Sequence, residues 1–389
     1  MEKLKVIISG VMMLHNGVKS ARNGNGTNQV HRKRILHLMT TGSESVYHKS
    51  FMDLVYSSPE LYEKFENVFF FLNSKKSRSL TGLLFANEAR KADLIVAHGL
   101  FGFACEYLYL CPGAVSKTRW VIWGGDLYFD LNAEPDDSNK AYIKELYRRI
   151  HKHIKRSVVR NVNGFITVIS RDIEFAETTY KTQKSRFGAF YPSPVNFDLL
   201  DNSINDSSKY TDDRVTKTIL LGNSASNTNE HYEVIDFLAQ LSKEMQFQVI
   251  CPLSYGNKEY ASQVDIYGRK KIGDNFVSLL TFMQPPDYAK VLLSADIAIM
   301  NHRNQEAVGT ILALLYSGKK VYIRKDVSTF QWLDALGVKV FDTEILLSSP
   351  SLNSIFEFTL EDKERNKQII KDYFSKENCI RMWKTVLSD

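Results

Sequence analysis

KTILLGNS, residues 217–224, is an apolar run of strand length that stops at a glycine and two small polar residues. A helix pattern follows from Asn229 to Met245, then FQVICPL (247–253) as a strand and a helix pattern from Asn257 to Lys270. FVSLLTF (276–282), a short helix from Pro286 to Leu293, DIAIMN (296–301), a helix from Val308 to Ser317 and KVYIR (320–324) continue the alternation. Strands apolar on both faces, each followed by a helix, predict a parallel sheet covered on both sides.

Toward the N-terminus the same rhythm appears in RILHLMTTG (34–42), NVFFFL (67–72), DLIVAHG (93–99), RWVIWGGDL (119–127) and NGFITVIS (163–170), with helix patterns from Ser45 and from Arg171 to Lys181. Between the halves, Gly188 to Val215 holds two prolines and many Asn, Asp and Ser, the composition of a connection. The predicted architecture is α/β, with two doubly wound domains side by side. The domains read as 31–190 and 216–345, joined by a linker at 191–215. Residues 1–30, rich in Gly and Asn after a short apolar run, read as a poorly ordered extension or a start codon placed too early, and 346–389 as a C-terminal helical segment.

At 389 residues, 44% hydrophobic and 24% charged, the chain is ordinary for a globular enzyme, which excludes disordered, collagenous and coiled-coil classes. Its four cysteines, at 105, 111, 251 and 379, form no zinc spacing and no disulfide framework, so they read as reduced thiols of a cytosolic protein. The apolar run 94–115 contains His98, Glu106, three glycines and Pro112, and reads as a buried strand and helix rather than a membrane span.

Lys140 to Arg186 carries twelve Lys/Arg against four acids, a surplus of +8 where the whole chain has +6. Ile143, Tyr147, Ile150, Ile154 and Val158 recur at helical spacing, with Lys144, Arg148, Lys152, Lys155 and Arg156 beside them. The pattern predicts a basic amphipathic helix for an anionic membrane surface. It has no RNA-binding signature and few stacking aromatics, so nucleic acid is not an expected partner.

Ligands of doubly wound sheets bind at the carboxyl ends of strands. In the second half these ends hold Gly222, Asn223 and Ser224, then Tyr255 and Gly256, then Asn301 to Thr310. The polar loop 301–307 leads through Gly309 and Thr310 into an apolar helix whose N-terminus suits a diphosphate, with Arg303 in the same loop. In the first half the strand ends hold His98 and Asp126. Either is a candidate general base: Asp126 after an aromatic, glycine-rich strand end, His98 through its near-neutral titration.

The series KRILHLM (33–39), VAHG (96–99), WGGDLY (123–128), FYPSPVNFD (190–198), ILLGNS (219–224) with NEH (229–231), CPLSYGN (251–257) with Tyr260, and QEAVGTILALLYSG (305–318) resembles glycosyltransferase family 56. That family is typified by the TDP-Fuc4NAc:lipid II Fuc4NAc transferases of enterobacterial common antigen synthesis. The resemblance spans about Arg34 to Leu336. It implies a GT-B fold, two Rossmann-like domains facing each other across a cleft, and an inverting, metal-independent transfer without cofactor. The implied partners are a nucleotide-sugar donor, TDP-linked, and an acceptor on undecaprenyl diphosphate, at the cytoplasmic face of the bacterial inner membrane. By position it carries donor contacts to Gly222, Asn223, Ser224, Asn229, Glu230, Tyr255, Gly256, Arg303, Gln305, Gly309 and Thr310. It turns His98 and Asp126 toward the acceptor, Asp126 preferred as base. This chain departs from the pattern in the residues before its first matched strand and in the additional acid Glu306. The alternatives are a GT-B transferase with a UDP- or GDP-sugar and a non-catalytic nucleotide-sugar or glycan-binding protein on the same fold.

Overall fold

The computed structural model describes residues 6–8, 11–13, 32–40, 45–72, 78–101, 103–128, 141–192, 197–207, 216–348 and 354–389. The chain forms two compact units, Met1–Pro192 with Lys376–Asp389, and Ser193–Ser375.

The first unit holds an eight-stranded sheet of β1 (Val6–Ile8), β2 (Val11–Met13), β3 (Lys33–Met39), β4 (Phe65–Phe71), β5 (Leu94–His98), β6 (Thr118–Val121), β7 (Gly164–Ile166) and β8 (Ser185–Phe187). Their order is β2-β1-β4-β3-β5-β6-β7-β8. Only β1 and β2 run antiparallel to one another. Every residue of β5 is buried, as a strand covered by helices on both faces requires. β3 and β5 pair in parallel from Ile35 opposite Leu94 to Met39 opposite His98, so both chains end at one edge.

The second unit holds β9 (Lys217–Leu221), β10 (Phe247–Pro252), β11 (Phe276–Leu279), β12 (Ile297–Met300), β13 (Lys320–Ile323) and β14 (Phe341–Asp342). All are parallel, in the order β11-β10-β9-β12-β13-β14. This is the 3-2-1-4-5-6 order of a dinucleotide-binding sheet, and its order reverses between β9 and β12. The side chains of Ile219, Leu221, Ile297 and Ile299 lie in one apolar core with Val249, Phe247 and Phe276.

Three stretches differ from the sequence reading. Residues 6–8 and 11–13 of the expected disordered extension are strands, β1 pairing with β4, because the apolar run there adds to an open sheet edge; the remainder of 1–30 lies outside the described residues. The expected linker contains a helix, Phe197–Ser207. It is held by buried Leu200, by the Phe197 ring 4.4 Å from that of Tyr316, and by the Tyr316 hydroxyl donating to Asp201 Oδ2 at 2.9 Å. The C-terminal segment is divided. Helix Leu360–Tyr373 belongs to the second unit, whereas helix Lys376–Ser388 returns to the first.

That last helix is anchored by Trp383, whose indole N–H donates to the Phe190 carbonyl at 2.8 Å and whose ring packs 4.6 Å from that of Phe51. Arg119 and Lys33 donate to the Val386 and Ser388 carbonyls near the helix end, where the helix dipole favours cations. Trp383→Ala removes a fully buried side chain and is expected to cost about 3–5 kcal/mol in denaturant unfolding. A loss under about 1 kcal/mol would mean that the helix is not part of the first unit's core.

Candidate functional site

In each unit, the place where strand order reverses brings two loops together at the carboxyl edge. In the second unit these follow β9 and β12. Gly222 adopts φ +65°, and a Cβ there would lie 2.8 Å from both Asn229 Oδ1 and His231 Nε2, so only glycine fits. Asn229 is fully buried. Its Oδ1 accepts the Asn223 N–H at 3.1 Å, and its amide donates to Ser224 Oγ and to Glu306 Oε2, each at 3.4 Å. Glu306 also accepts from the Thr228 hydroxyl at 2.6 Å, and the Arg303 N–H donates to the Thr228 carbonyl. Burial raises the Glu306 pKa, opposed by these hydrogen bonds.

These bonds revise the expected role of the GNS turn. The Gly222 N–H donates to the Ile299 carbonyl and the Asn223 N–H to Asn229, so neither is left for an anion. Helix Val308–Tyr316 is different: it starts behind Ala307 in the left-handed conformation, without a side-chain cap, and Gly309 and Thr310 lie in its first turn. Its leading N–H groups form the anion-attracting end of the loop. Arg303 is exposed and paired with Glu230 at 2.6 Å. Tyr255 is 71% exposed, while Gly256, at φ +112°, packs against the Ala225 carbonyl, where a Cβ would clash at 2.6 Å.

Five buried polar side-chain atoms around this crevice have no protein partner: Asn223 Oδ1, His231 Nε2, Asn301 Oδ1, His302 Nε2 and Gln305 Oε1. Buried polar atoms are normally paired, so this concentration of unpartnered ones marks the crevice as the candidate site of the second unit. Of the five residues, His231 stands inside the NEH motif and Asn301 and His302 inside the strand-end segment 301–310 that the sequence pointed to, but none of the three was given a donor contact of its own.

In the first unit, Thr40 follows β3 and His98 is the last residue of β5. His98 is buried, its Nε2 hydrogen-bonded to His37 Nδ1 at 3.0 Å and its Nδ1 to the Tyr191 hydroxyl. Its pKa is held well below 6.5, by burial and then by His37 and His48. Asp126 is also buried; Oδ2 accepts from the Leu100 N–H at 2.8 Å and the Trp120 indole at 2.6 Å, and Oδ1 from the Trp123 N–H at 2.9 Å. Both base candidates therefore have their acceptor atoms committed within the fold and hold the loops in place. Lys155, expected on a membrane-facing surface, is instead buried, its ammonium donating to the Asp126 carbonyl.

Residues 32–388 match the family model described as 4-alpha-L-fucosyltransferase, glycosyl transferase group 56. The chain belongs to glycosyltransferase family 56. Among solved structures, a Rickettsia africae glycosyltransferase aligns over 92% of this chain and 98% of its own at 14% identity and TM-score 0.61. A sucrose-phosphate synthase from Thermosynechococcus elongatus aligns over 91% and 98% at 9% identity and TM-score 0.59. A trehalose 6-phosphate synthase from Burkholderia multivorans aligns over 92% and 97%, with 8% identity and a TM-score of 0.57. These are likenesses of fold, that of GT-B glycosyltransferases. The family 56 match extends past Leu336 to include the returning C-terminal helix. The protein is thus a fucosyltransferase-type glycosyltransferase.

Burial lowers His37 and His231 to about 4 and His302 to about 3, from 6.5. The unfolded chain protonates these rings below pH 6.5 while the folded one does not, so this stability is complete above pH 6.5 and lost as pH falls toward 4. Denaturant unfolding at pH 5 is expected to show about 2 kcal/mol less stability per ring than at pH 8. Equal stability at both values would mean that the rings are not held neutral.

Proposed function

We propose that this family 56 enzyme transfers a dideoxy amino sugar such as Fuc4NAc from a TDP-linked donor to a saccharide carried on undecaprenyl diphosphate, in bacterial surface glycan synthesis. The observation that carries the donor side is the cluster of five unpartnered polar atoms where strand order reverses between β9 and β12. Gly222, Asn223, Ser224 and Asn229 shape its floor, Gln305, Gly309 and Thr310 its anion-attracting wall, and Arg303 with Glu230 its rim. Tyr255 and Gly256 border the base or ribose.

The chemistry is an in-line displacement without metal. An acceptor hydroxyl forms a bond to the anomeric carbon as the bond to the diphosphate breaks on the opposite side, inverting the centre, and the hydroxyl proton passes to solvent. Negative charge accumulates on the departing diphosphate, where the uncapped N-terminus of helix Val308–Tyr316 opposes it. Asp126 and His98 support the acceptor side as positioning residues, through the bonds that hold their loops.

Membrane attachment is proposed for helix Ala141–Asn161. Tyr142, Leu146 and Ile150 form an outward stripe at four-residue spacing, 81%, 49% and 50% exposed, with Tyr147 beside it. Arg148, Arg149, Lys152 and Arg156 flank the stripe as exposed cations. This outward face differs from the one read in the sequence, since Tyr147 and Ile150 are exposed while Val158 is core. An interfacial helix of this kind holds an enzyme on anionic lipid reversibly, at about 1 kcal/mol per cation. Among the described residues no helix is long and apolar enough to cross a membrane.

Thermal-shift measurements against TDP, UDP, GDP, CDP and ADP test the donor assignment, since a ligand bound only by the folded state raises the melting temperature. Selective stabilisation by TDP is expected; preference for UDP or GDP would replace the donor. Lys152→Glu with Arg156→Glu is expected to weaken partition onto anionic liposomes at least tenfold, with transfer to a detergent-solubilised acceptor retained. Unchanged partition would reduce the helix to a solvated face.

A further inference from the structure

The five unpartnered atoms differ in what they ask of a ligand. Tyr260 engages one side of the His231 ring, its hydroxyl lying 3.1 Å from His231 Nδ1. The other ring nitrogen, Nε2, is a fully buried polar atom without a protein partner, beside the position left open by Gly222. His302, 2% exposed, is close enough to His231 for the two rings to disfavour each other's charge.

Charge in this crevice is one-sided. Glu230 and Glu233, from the start of the helix that opens at His231, and Glu306, from the loop after β12, contribute carboxylates here; Glu233 accepts from Asn301 at 2.9 Å and Glu306 from Thr228 and Asn229. The two guanidinium groups of these loops are already paired, Arg303 with Glu230, and Arg324 with Asp326 at 3.1 Å and Glu344 at 3.2 Å. Tyr260 and Tyr288, the latter hydrogen-bonded with Thr310, are the neighbouring phenols, and burial raises the pKa of each. A doubly charged diphosphate entering here needs positive charge that the empty crevice does not hold.

We propose that His302, with the unpartnered Nε2 of His231 beside it, binds the diphosphate bridge of the nucleotide-sugar and takes up one proton as it does so. This rests on the donor site of the preceding section and adds how that site acquires its charge. Repulsion between the two rings limits uptake to one proton, and His302 takes it because His231 Nδ1 is already engaged by Tyr260. The imidazolium then faces the oxygen on which charge develops as the anomeric bond breaks. On release of the nucleoside diphosphate the crevice becomes empty again and the proton returns to solvent.

The sign follows from linkage. The empty site keeps His302 neutral down to about pH 3, whereas the occupied site protonates it at higher pH. Affinity therefore strengthens as pH falls below the bound-state pKa, by up to about tenfold per pH unit, and is flat above it.

The experiment is isothermal titration of the full chain with TDP-glucose and UDP-glucose, whose diesterified diphosphates do not titrate between pH 5.5 and 8. Each titration is run in two buffers of different ionisation enthalpy. Uptake approaching one proton per bound sugar nucleotide near pH 6 is expected, with about tenfold weaker binding at pH 7.5. His302→Gln should abolish the uptake and flatten the pH dependence, whereas Glu306→Gln should retain both. Tight binding by the native chain with no proton uptake overturns the inference while leaving the donor site standing, and needs no variant to fold. Uptake that survives in His302→Gln and vanishes in Glu306→Gln overturns it in favour of the carboxyl group. Failure of both sugar nucleotides to bind anywhere in this range overturns the donor site and the inference together.

Discussion

One buried amide ties together the two loops on which the second unit's site depends. Asn229 accepts the Asn223 N–H with its oxygen and spends its nitrogen on Ser224 and Glu306, so a single side chain spans the end of β9 and the loop after β12. The topology makes such a tie necessary. Parallel strands are joined by crossovers, so loops that are neighbours in space lie far apart in the chain and must be locked by side chains. Gly222 is the geometric condition for the lock, because a Cβ at its position would occupy the space of the Asn229 oxygen.

The first unit uses the same device with different residues. Asp126 gathers three N–H donors, from the loop after β5, from strand β6 and from the loop after β6, and Lys155 reaches in from helix Ala141–Asn161 to the Asp126 carbonyl. The His98 ring is tied on one side to Tyr191 and on the other to His37, which hydrogen-bonds Asn67. Asn67 donates its amide hydrogens to the Leu61 and Phe65 carbonyls, so its oxygen must receive the His37 proton and the chain has one direction. Such fully bonded networks rigidify a loop. They also remove these groups from direct proton transfer. In both units, then, the polar residues of the family motifs first build the loops.

Much of the architecture was legible along the chain because burial on both faces leaves its mark in continuous apolar runs. Strands β3 to β7 and β9 to β13 are each marked by such a run, and helix Lys258–Ile272 by its cap, Asn257, whose side chain accepts from the Glu259 and Tyr260 N–H groups. The exceptions are short or polar. β8, SRF, has two exposed residues and no apolar signature, and β14 is only two residues long. Helix Phe197–Ser207 was hidden because Asn, Asp and Ser favour turns locally, and only its packing on Tyr316 outweighs that preference.

The sequence by itself determined the α/β class, the doubly wound order of elements and the family, since periodicity and strand-end residues are local properties. Tertiary structure decided what each polar residue in those loops does, because partnering depends on residues distant in the chain. Asp126 and Glu306 look alike as carboxylates after glycine-rich or polar segments; one accepts three N–H groups in a closed loop and the other borders the unpartnered atoms. Lys152 and Lys155 share a basic helix, yet a three-residue step leaves one in solvent and carries the other into the core. The return of helix Lys376–Ser388 to the first unit was likewise decided by a distant partner, the Phe190 carbonyl that receives the Trp383 N–H.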